Sequence, residues 1–349
     1  MQGEAVISRR RIAITVALSA AAGVWHPLLA QTRLEKPKLS LAVGGKATLY
    51  YLPLTISEQL GYFKAEGLDL DLLEFDDDKG ALKAVLGEQA DVAAGPFENT
   101  IKLQAKGHIF QAFVLQGRAP QIAFGVSTRS FPDYKVVAQL KGKKVGVSAP
   151  DSSTSMLATL VLARGGLLAS DVTLVGVGTA NAALAALRSG DVDAICNTDP
   201  VMTLLEQRNE VRIISDTRTL KGTQELFGGP MPAGCFYAAA EFVQKNPNTC
   251  QALTNAVVRS LKWLQTAGPR DILKTVPEAY LLGDRALYLA SFNKIRESIS
   301  LDGIVADGAA QTALTALASL DAGIKPQKID LGKTYTNGFA RRAKERYRA

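Results

Sequence analysis

Histidine is nearly missing from this chain. Two occur in 349 residues, and only His108 lies beyond residue 30. That argues against a histidine metal cluster and against a Ser-His nucleophile pair, since both need placed imidazoles. Cysteine is scarce too. Cys196, Cys235 and Cys250 are odd in number and match no zinc spacing. One disulfide and three buried thiols both stay open. No Walker-type phosphate loop or dinucleotide glycine fingerprint occurs. Beyond the N-terminus no apolar run is long enough to span a bilayer. Glycine and proline show no short period, which excludes collagen-like and low-complexity chains.

What is present is an ordinary globular composition, 47% hydrophobic and 21% charged with a net charge of +7. Such a length suggests two domains. Ser8-Arg9-Arg10-Arg11-Ile12 followed by an apolar run to Val24 and Leu28-Leu29-Ala30 has the order of a cleavable export signal, twin-arginine-like or general. Residues 1–30 are therefore expected to be removed, leaving the chain at +5 without Arg9, Arg10, Arg11 and Glu4. Much of the remaining excess sits in Arg341, Arg342, Lys344, Arg346 and Arg348, read as a solvated terminal helix or a frayed end. Nucleic acid is not expected as a partner, and no stable membrane anchor is expected.

From Leu39 onward short apolar strands alternate with helical stretches. Strands are expected at 39–43, 68–75, 92–94 and 109–115, with helices at 54–66, 81–87 and 100–106. A second block repeats the layout, with strands at 144–147, 172–175, 192–196 and 211–214 and helices at 154–164, 180–189 and 201–206. This order implies mostly parallel sheets covered by helices. Strand 122–126 would cross into the second lobe and strand 235–239 would return. The fold class is α/β, two-lobed, with a double-crossing hinge. Lobe 1 is expected at 31–122 and 239–349, and lobe 2 at 123–238. The region 241–320 reads as mostly helical.

Four segments carry a family resemblance: Glu58–Leu68, Lys83–Val92, Leu140–Val147 and Ala185–Ala194. In this order and spacing the chain resembles the periplasmic substrate-binding proteins of nitrate-, sulfonate- and taurine-type ABC importers. That superfamily also holds the binders of thiamine-pyrimidine precursors. The resemblance implies a monomeric binding protein with no cofactor and no catalysis. It would take a small-molecule ligand, a sulfonate or carboxylate, and hand it to an ABC transporter permease. A neutral pyrimidine or related heterocycle is the alternative. A pyrimidine-forming enzyme of the same fold is disfavoured, because the cysteine cluster of that branch is absent.

Open α/β sheets bind ligands beyond the carboxyl ends of their strands, so segments following strands are the candidates. Tyr50 and Tyr51 follow the first strand and offer stacking faces and hydroxyls, or pack in the core. Phe97 and Asn99 follow the third. Asn99 or Thr100 could cap the next helix. Arg118, before the crossing, could pair with a carboxylate or sulfonate or lock the hinge. Ser152, Ser153 and Thr154 lead into a helix whose free N–H groups suit an anion, with Asp151 or Ser152 as its cap. In the resembled family this hydroxyl-rich turn binds the ligand's anionic group, although the Asp151 carboxylate would repel one. Asn197, Thr198 and Asp199 follow another strand. There the family often has an aromatic-acid-proline run, and this chain has Thr198 in place of the aromatic. Asp76-Asp77-Asp78 lacks calcium-loop spacing and reads as a solvated turn, yet it keeps a cationic or neutral ligand in play.

Overall fold

Continuous apolar runs make poor surface strands, and the chain buries them at the centre of two sheets. The structure is a computed structural model and describes residues 33–349; the expected export signal lies outside the described residues. The first sheet uses β1 (Lys38–Gly44), β2 (Asp69–Phe75), β3 (Val92–Pro96) and β4 (Phe110–Leu115). The second uses β5 (Ile122–Ser127), β6 (Lys144–Val147), β7 (Thr173–Gly176), β8 (Ala194–Thr198) and β9 (Val211–Asp216), and β10 (Gly234–Ala239) closes the set. Strand order is β2-β1-β3-β10-β4 in one sheet and β7-β6-β8-β5-β9 in the other. β3 is buried at every position, as a strand at the centre of a helix-covered sheet should be. The acidic alternation of β2 instead suits its place at the sheet edge.

Each sheet has one strand running against its neighbours. β10 pairs antiparallel with β3 and β4, and β5 pairs antiparallel with β8 and β9. These are the two strands that follow a crossing. The chain leaves the first sheet through residues 116–121 and returns before Gly234. That is a few residues ahead of the 238/239 boundary expected from sequence, because the whole of β10 belongs to the first sheet.

The helices are α1 (Leu52–Gln59), α2 (Tyr62–Ala65), α3 (Asp78–Leu86), α4 (Glu98–Ala105), α5 (Ser153–Arg164), α6 (Asn181–Ser189) and α7 (Val201–Gln207). They continue with α8 (Leu220–Phe227), α9 (Ala240–Lys245), α10 (Pro247–Thr266), α11 (Pro269–Thr275), α12 (Arg285–Ile295), α13 (Ala309–Leu320) and α14 (Gly338–Tyr347). The single helix expected over 54–66 is broken in two, because Gly61 takes a left-handed φ of 68° between α1 and α2. Neither α8 nor the docking of α14 was legible in the sequence. The basic C-terminus is helical as read, but it is neither frayed nor fully solvated. Phe339, Ala340 and Ala343 are buried, and α14 lies on α10. Its charges are used internally: Lys344 pairs with Asp302 at 2.7 Å and Arg346 with Glu66 at 3.2 Å. All three cysteines are free and buried.

Candidate functional site between the two sheets

The carboxyl ends of the two sheets face each other, and their loops touch. Glu98 opens α4 just after β3, and it is 2% exposed. Ser153 opens α5 after β6, and its hydroxyl donates to Glu98 Oε1 at 2.5 Å. Lys102 Nζ reaches the Asp151 carbonyl at 3.4 Å, while Lys79 approaches the Asp151 carboxylate at 4.0 Å. A Cβ on Gly45 would lie 3.6 Å from Thr179 Oγ1, so the turns after β1 and β7 also approach.

On the first sheet's side the residues converge on two carboxyl groups. Tyr50 and Tyr51 sit in the turn after β1, edge to face with centroids 4.9 Å apart. The Tyr51 hydroxyl donates to Asp78 Oδ1. Burial raises the Asp78 carboxyl to about 7; the Tyr51 hydrogen bond opposes this, while the charges of Glu98 and Asp77 add to it. Burial also pushes the Tyr50 hydroxyl well up, with the Glu98 and Asp78 charges next in size, so both carboxyls act on this ring. Tyr237, on β10, accepts a hydrogen bond from Asn99 Nδ2 at 3.2 Å. Glycines let these groups approach. A Cβ on Gly234 would stand 3.0 Å from Tyr50 Cε1, and one on Gly44 would stand 2.0 Å from the Asp77 carbonyl carbon. Gly44→Ala must therefore push the Asp77–Asp78 turn away. It is expected to cost about 1–3 kcal/mol, read as a lowered thermal midpoint; an unchanged midpoint would show that the turn yields freely.

On the second sheet's side the hydroxyl turn is mostly occupied with itself. Ser152, and not Asp151, caps α5, accepting from Ser155 N at 3.2 Å. Thr154 Oγ1 accepts from Ser148 N at 2.8 Å and lies 2.8 Å from Ser148 Oγ. Only Ser153 points its hydroxyl across to the first sheet. The N–H groups of Ser153 and Thr154 donate to no described group, leaving the start of α5 with two free donors.

The remaining candidates fall elsewhere. Phe97 is 0% exposed and packs edge-on against Tyr335, with centroids 6.0 Å apart. Asn99 and Thr100 lie inside the first turn of α4 rather than capping it, and Thr100 Oγ1 bonds Phe97 O at 2.9 Å. Asn197 and Thr198 are the last residues of β8. Asn197 Nδ2 bonds Gly178 O at 2.8 Å. Asp199 is tied into a buried ion network by Arg218, and its Oδ1 accepts from Thr203 N at 2.7 Å. Arg118 Nε donates to Glu297 O at 2.8 Å, and Arg118 has no contact with Asp78, Glu98 or Ser153 among the described hydrogen bonds and ion pairs. Sequence reasoning missed Glu98, Tyr237 and Arg218. A carboxylate as the one charged residue of Gly95–Ile101, directly after a buried strand, was the available signal for Glu98.

Thr198 Oγ1, Asp199 Oδ2, Gln116 Nε2 and Gln121 Oε1 are buried without a protein partner. All four lie on the first crossing or at the end of β8, which pairs with the strand that the crossing enters. Among the described residues no three His, Cys, Asp or Glu side chains come together as a metal requires, and no helix is long and apolar enough to cross a membrane.

Two mixed α/β lobes joined by two crossings, with polar side chains converging where the strand ends meet, define the periplasmic binding protein fold. Residues 48–269 match the NMT1/THI5-like family, and the chain belongs to it. A solved structure of a protein from Bordetella bronchiseptica RB50 is 54% identical, with a TM-score of 0.88; the match covers 91% of this chain and all of that one. The alkanesulfonate-binding protein SsuA from Xanthomonas axonopodis pv. citri, solved bound to MOPS, is 18% identical with a TM-score of 0.67, over 88% of this chain and all of its own. The periplasmic nitrate-binding protein NrtA from Synechocystis PCC 6803 is 16% identical with a TM-score of 0.69, over 90% of this chain and 89% of its own. At these last identities the likeness is one of fold.

Proposed function

We propose that this chain is the solute-binding component of an ABC importer, exported by its N-terminal signal, acting without catalysis. It captures a small organic molecule between the two sheets and presents it to a permease. The ligand class that the site fits best is a nitrogen heterocycle or amine that offers N–H donors. The carrying observation is the pair Asp78 and Glu98, two carboxyl groups on one wall beside Tyr50 and Tyr51. Their acceptors suit donors, and the rings suit a flat face.

An anionic ligand is the second reading. It rests on the free N–H groups of Ser153 and Thr154, and on the sulfonate- and nitrate-binding neighbours. Against it stands Glu98, a protein carboxylate already held at the start of α5 by Ser153. An anion would have to displace it.

A thermal-shift panel of aminopyrimidines, amidines and amines against nitrate, sulfate, sulfonates and carboxylates decides between them. A ligand at ~100 times its Kd stabilises by about 2.7 kcal/mol. Shifts confined to the nitrogen bases are expected. Shifts confined to sulfonates or nitrate would transfer the site to α5, and no shift with either set would count against both classes.

A further inference from the structure

The arginine that the sequence offered as an anion anchor lies in a different cavity, on the hinge. Between the two crossings is a space of about 270 Å³ lined by Leu115, Arg118, Leu220, Gln224, Pro230 and Ala309, among others. None of its lining residues is among those gathered around Asp78 and Glu98. We infer that this cavity is a second ligand site, which takes a small organic carboxylate with an apolar body.

Arg118 provides the charge. Its main chain is fixed by a bond from its N–H to Ser298 O at 2.8 Å, and its Nε by the bond to Glu297 O at 2.8 Å. Those two bonds hold the guanidinium in place without neutralising it, because both acceptors are carbonyls. Its two Nη groups make no hydrogen bond or ion pair to any described residue. The Glu297 carboxylate accepts from Leu220 N at 3.0 Å, at the start of α8 on the cavity's edge, and makes no ion pair with Arg118 among the described residues. An arginine fixed at Nε and open at both Nη atoms presents a fork that matches a carboxylate. Around it the walls are chiefly apolar, with Leu115, Leu220, Pro230, Pro232, Ala306 and Ala309 facing the space. A few polar groups in an apolar concavity are the ordinary make-up of a small-molecule site.

The walls come from parts that a hinge would move. Leu115 ends β4 of the first sheet, Arg118 and Pro230 lie on the two crossings, and Leu220 and Gln224 belong to α8, beyond β9 of the second sheet. A molecule here bridges both lobes. It would therefore favour one hinge angle and change affinity at the cleft, by linkage in both directions.

Benzoate serves as the probe, and benzamide as its uncharged isostere, with calorimetry on the full mature chain. Saturable benzoate binding in the millimolar range is expected, with benzamide at least about tenfold weaker, as loss of a charge-assisted hydrogen bond predicts. Arg118→Gln should weaken benzoate at least about tenfold by the same reasoning. Ala306→Leu, an exposed position at the mouth, should weaken it by obstruction without touching the charge. Ala306→Leu keeps Arg118, so a loss of benzoate binding at an unchanged melting point does not depend on how the arginine variant folds. Equal binding of benzamide, benzoate binding that survives both substitutions, or no saturation at all would overturn the assignment.

Discussion

Arg218→Met is expected to lower the unfolding free energy by about 3–5 kcal/mol, the range for removing one partner of a buried ion pair. Among the described residues Arg218 is the largest side chain with no exposure at all. Its Nε donates to Asp216 Oδ1 at 2.8 Å and its Nη2 contacts Asp216 Oδ2 at 2.7 Å, a bidentate pairing. Nη2 also meets Glu206 at 3.0 Å, and Nη1 meets Asp199 at 3.5 Å and Thr203 Oγ1 at 3.3 Å. Three carboxylates therefore depend on this guanidinium, and among the described ion pairs only Glu206 has another cation, Lys294 at 2.6 Å. Removing Arg218 leaves the fully buried Asp199 with no charge partner. Urea unfolding should show a lower midpoint at an unchanged slope. Combining Arg218→Met with Asp216→Asn should cost less than the sum, because both act on one network. A midpoint shift worth under about 1 kcal/mol, the scale of an exposed pair, would mean that the network is solvated.

The same network has a pH signature. Burial opposes ionisation of Glu206 and Asp216, but hydrogen bonds from Lys294 and Arg218 outweigh it and hold both carboxyls below their ordinary values of 4.5 and 3.8. Their contribution is therefore complete above those values and is lost as pH falls through the lowered ones. It also ties α7 and the segment after β9 to the helical C-terminal region. Lys294 lies on α12 of the helical C-terminal region and Glu206 on α7, while Ser298 donates to the Arg218 carbonyl.

The alternating order of strands and helices was legible because it rests on local features. Apolar runs of four to seven residues ended at glycines that cap helices, as Gly190 does in the left-handed region after α6. Strand order was not legible in the same way, since it depends on which runs pair across a hundred residues. β10 shows this: from sequence it is only a return strand, and its whole length turns out to lie between β3 and β4.

Of the candidate site residues, part of the clustering was legible. Position after a strand identified Tyr50, Tyr51, Asn99 and Ser153, which the fold brings to one place. The same rule also selected Phe97, Arg118 and Asp199, whose side chains are drawn into the core, the hinge and an ion network. Position along the chain fixes which end of a sheet a residue occupies, but not which way its side chain turns. From sequence the acidic run reads as a solvated turn. Asp78 instead begins α3, with Asp77 as the cap accepting from Gly80 N at 2.8 Å, and Tyr51 covers its carboxyl.

That covered carboxyl is expected to make binding at the cleft pH-dependent, with opposite signs for the two ligand classes. Burial raises the Asp78 carboxyl from 3.8 to about 7. Below neutrality it is mostly protonated, and above it mostly ionised. A cationic or N–H-donating ligand pairs best with the ionised form, so its Kd should fall as pH rises from 6 to 8. An anionic ligand should bind more weakly over the same interval. The unliganded protein follows the proton. A carboxyl with a raised folded pKa favours the folded state only while protonated, so its contribution declines as pH climbs from 3.8 towards 7. At 1.36 kcal/mol per unit the loss approaches about 4 kcal/mol. Asp78→Asn removes the ionisation and should flatten both slopes. It should raise the apo melting point at pH 8 and weaken an amine or heterocycle by tenfold or more, in line with loss of a charge-assisted hydrogen bond. An anion would bind that variant as well as or better than the wild type at pH 8. Calorimetry at three pH values on the two proteins reads all of these, and a ligand whose affinity ignores both pH and the substitution would remove Asp78 from the site.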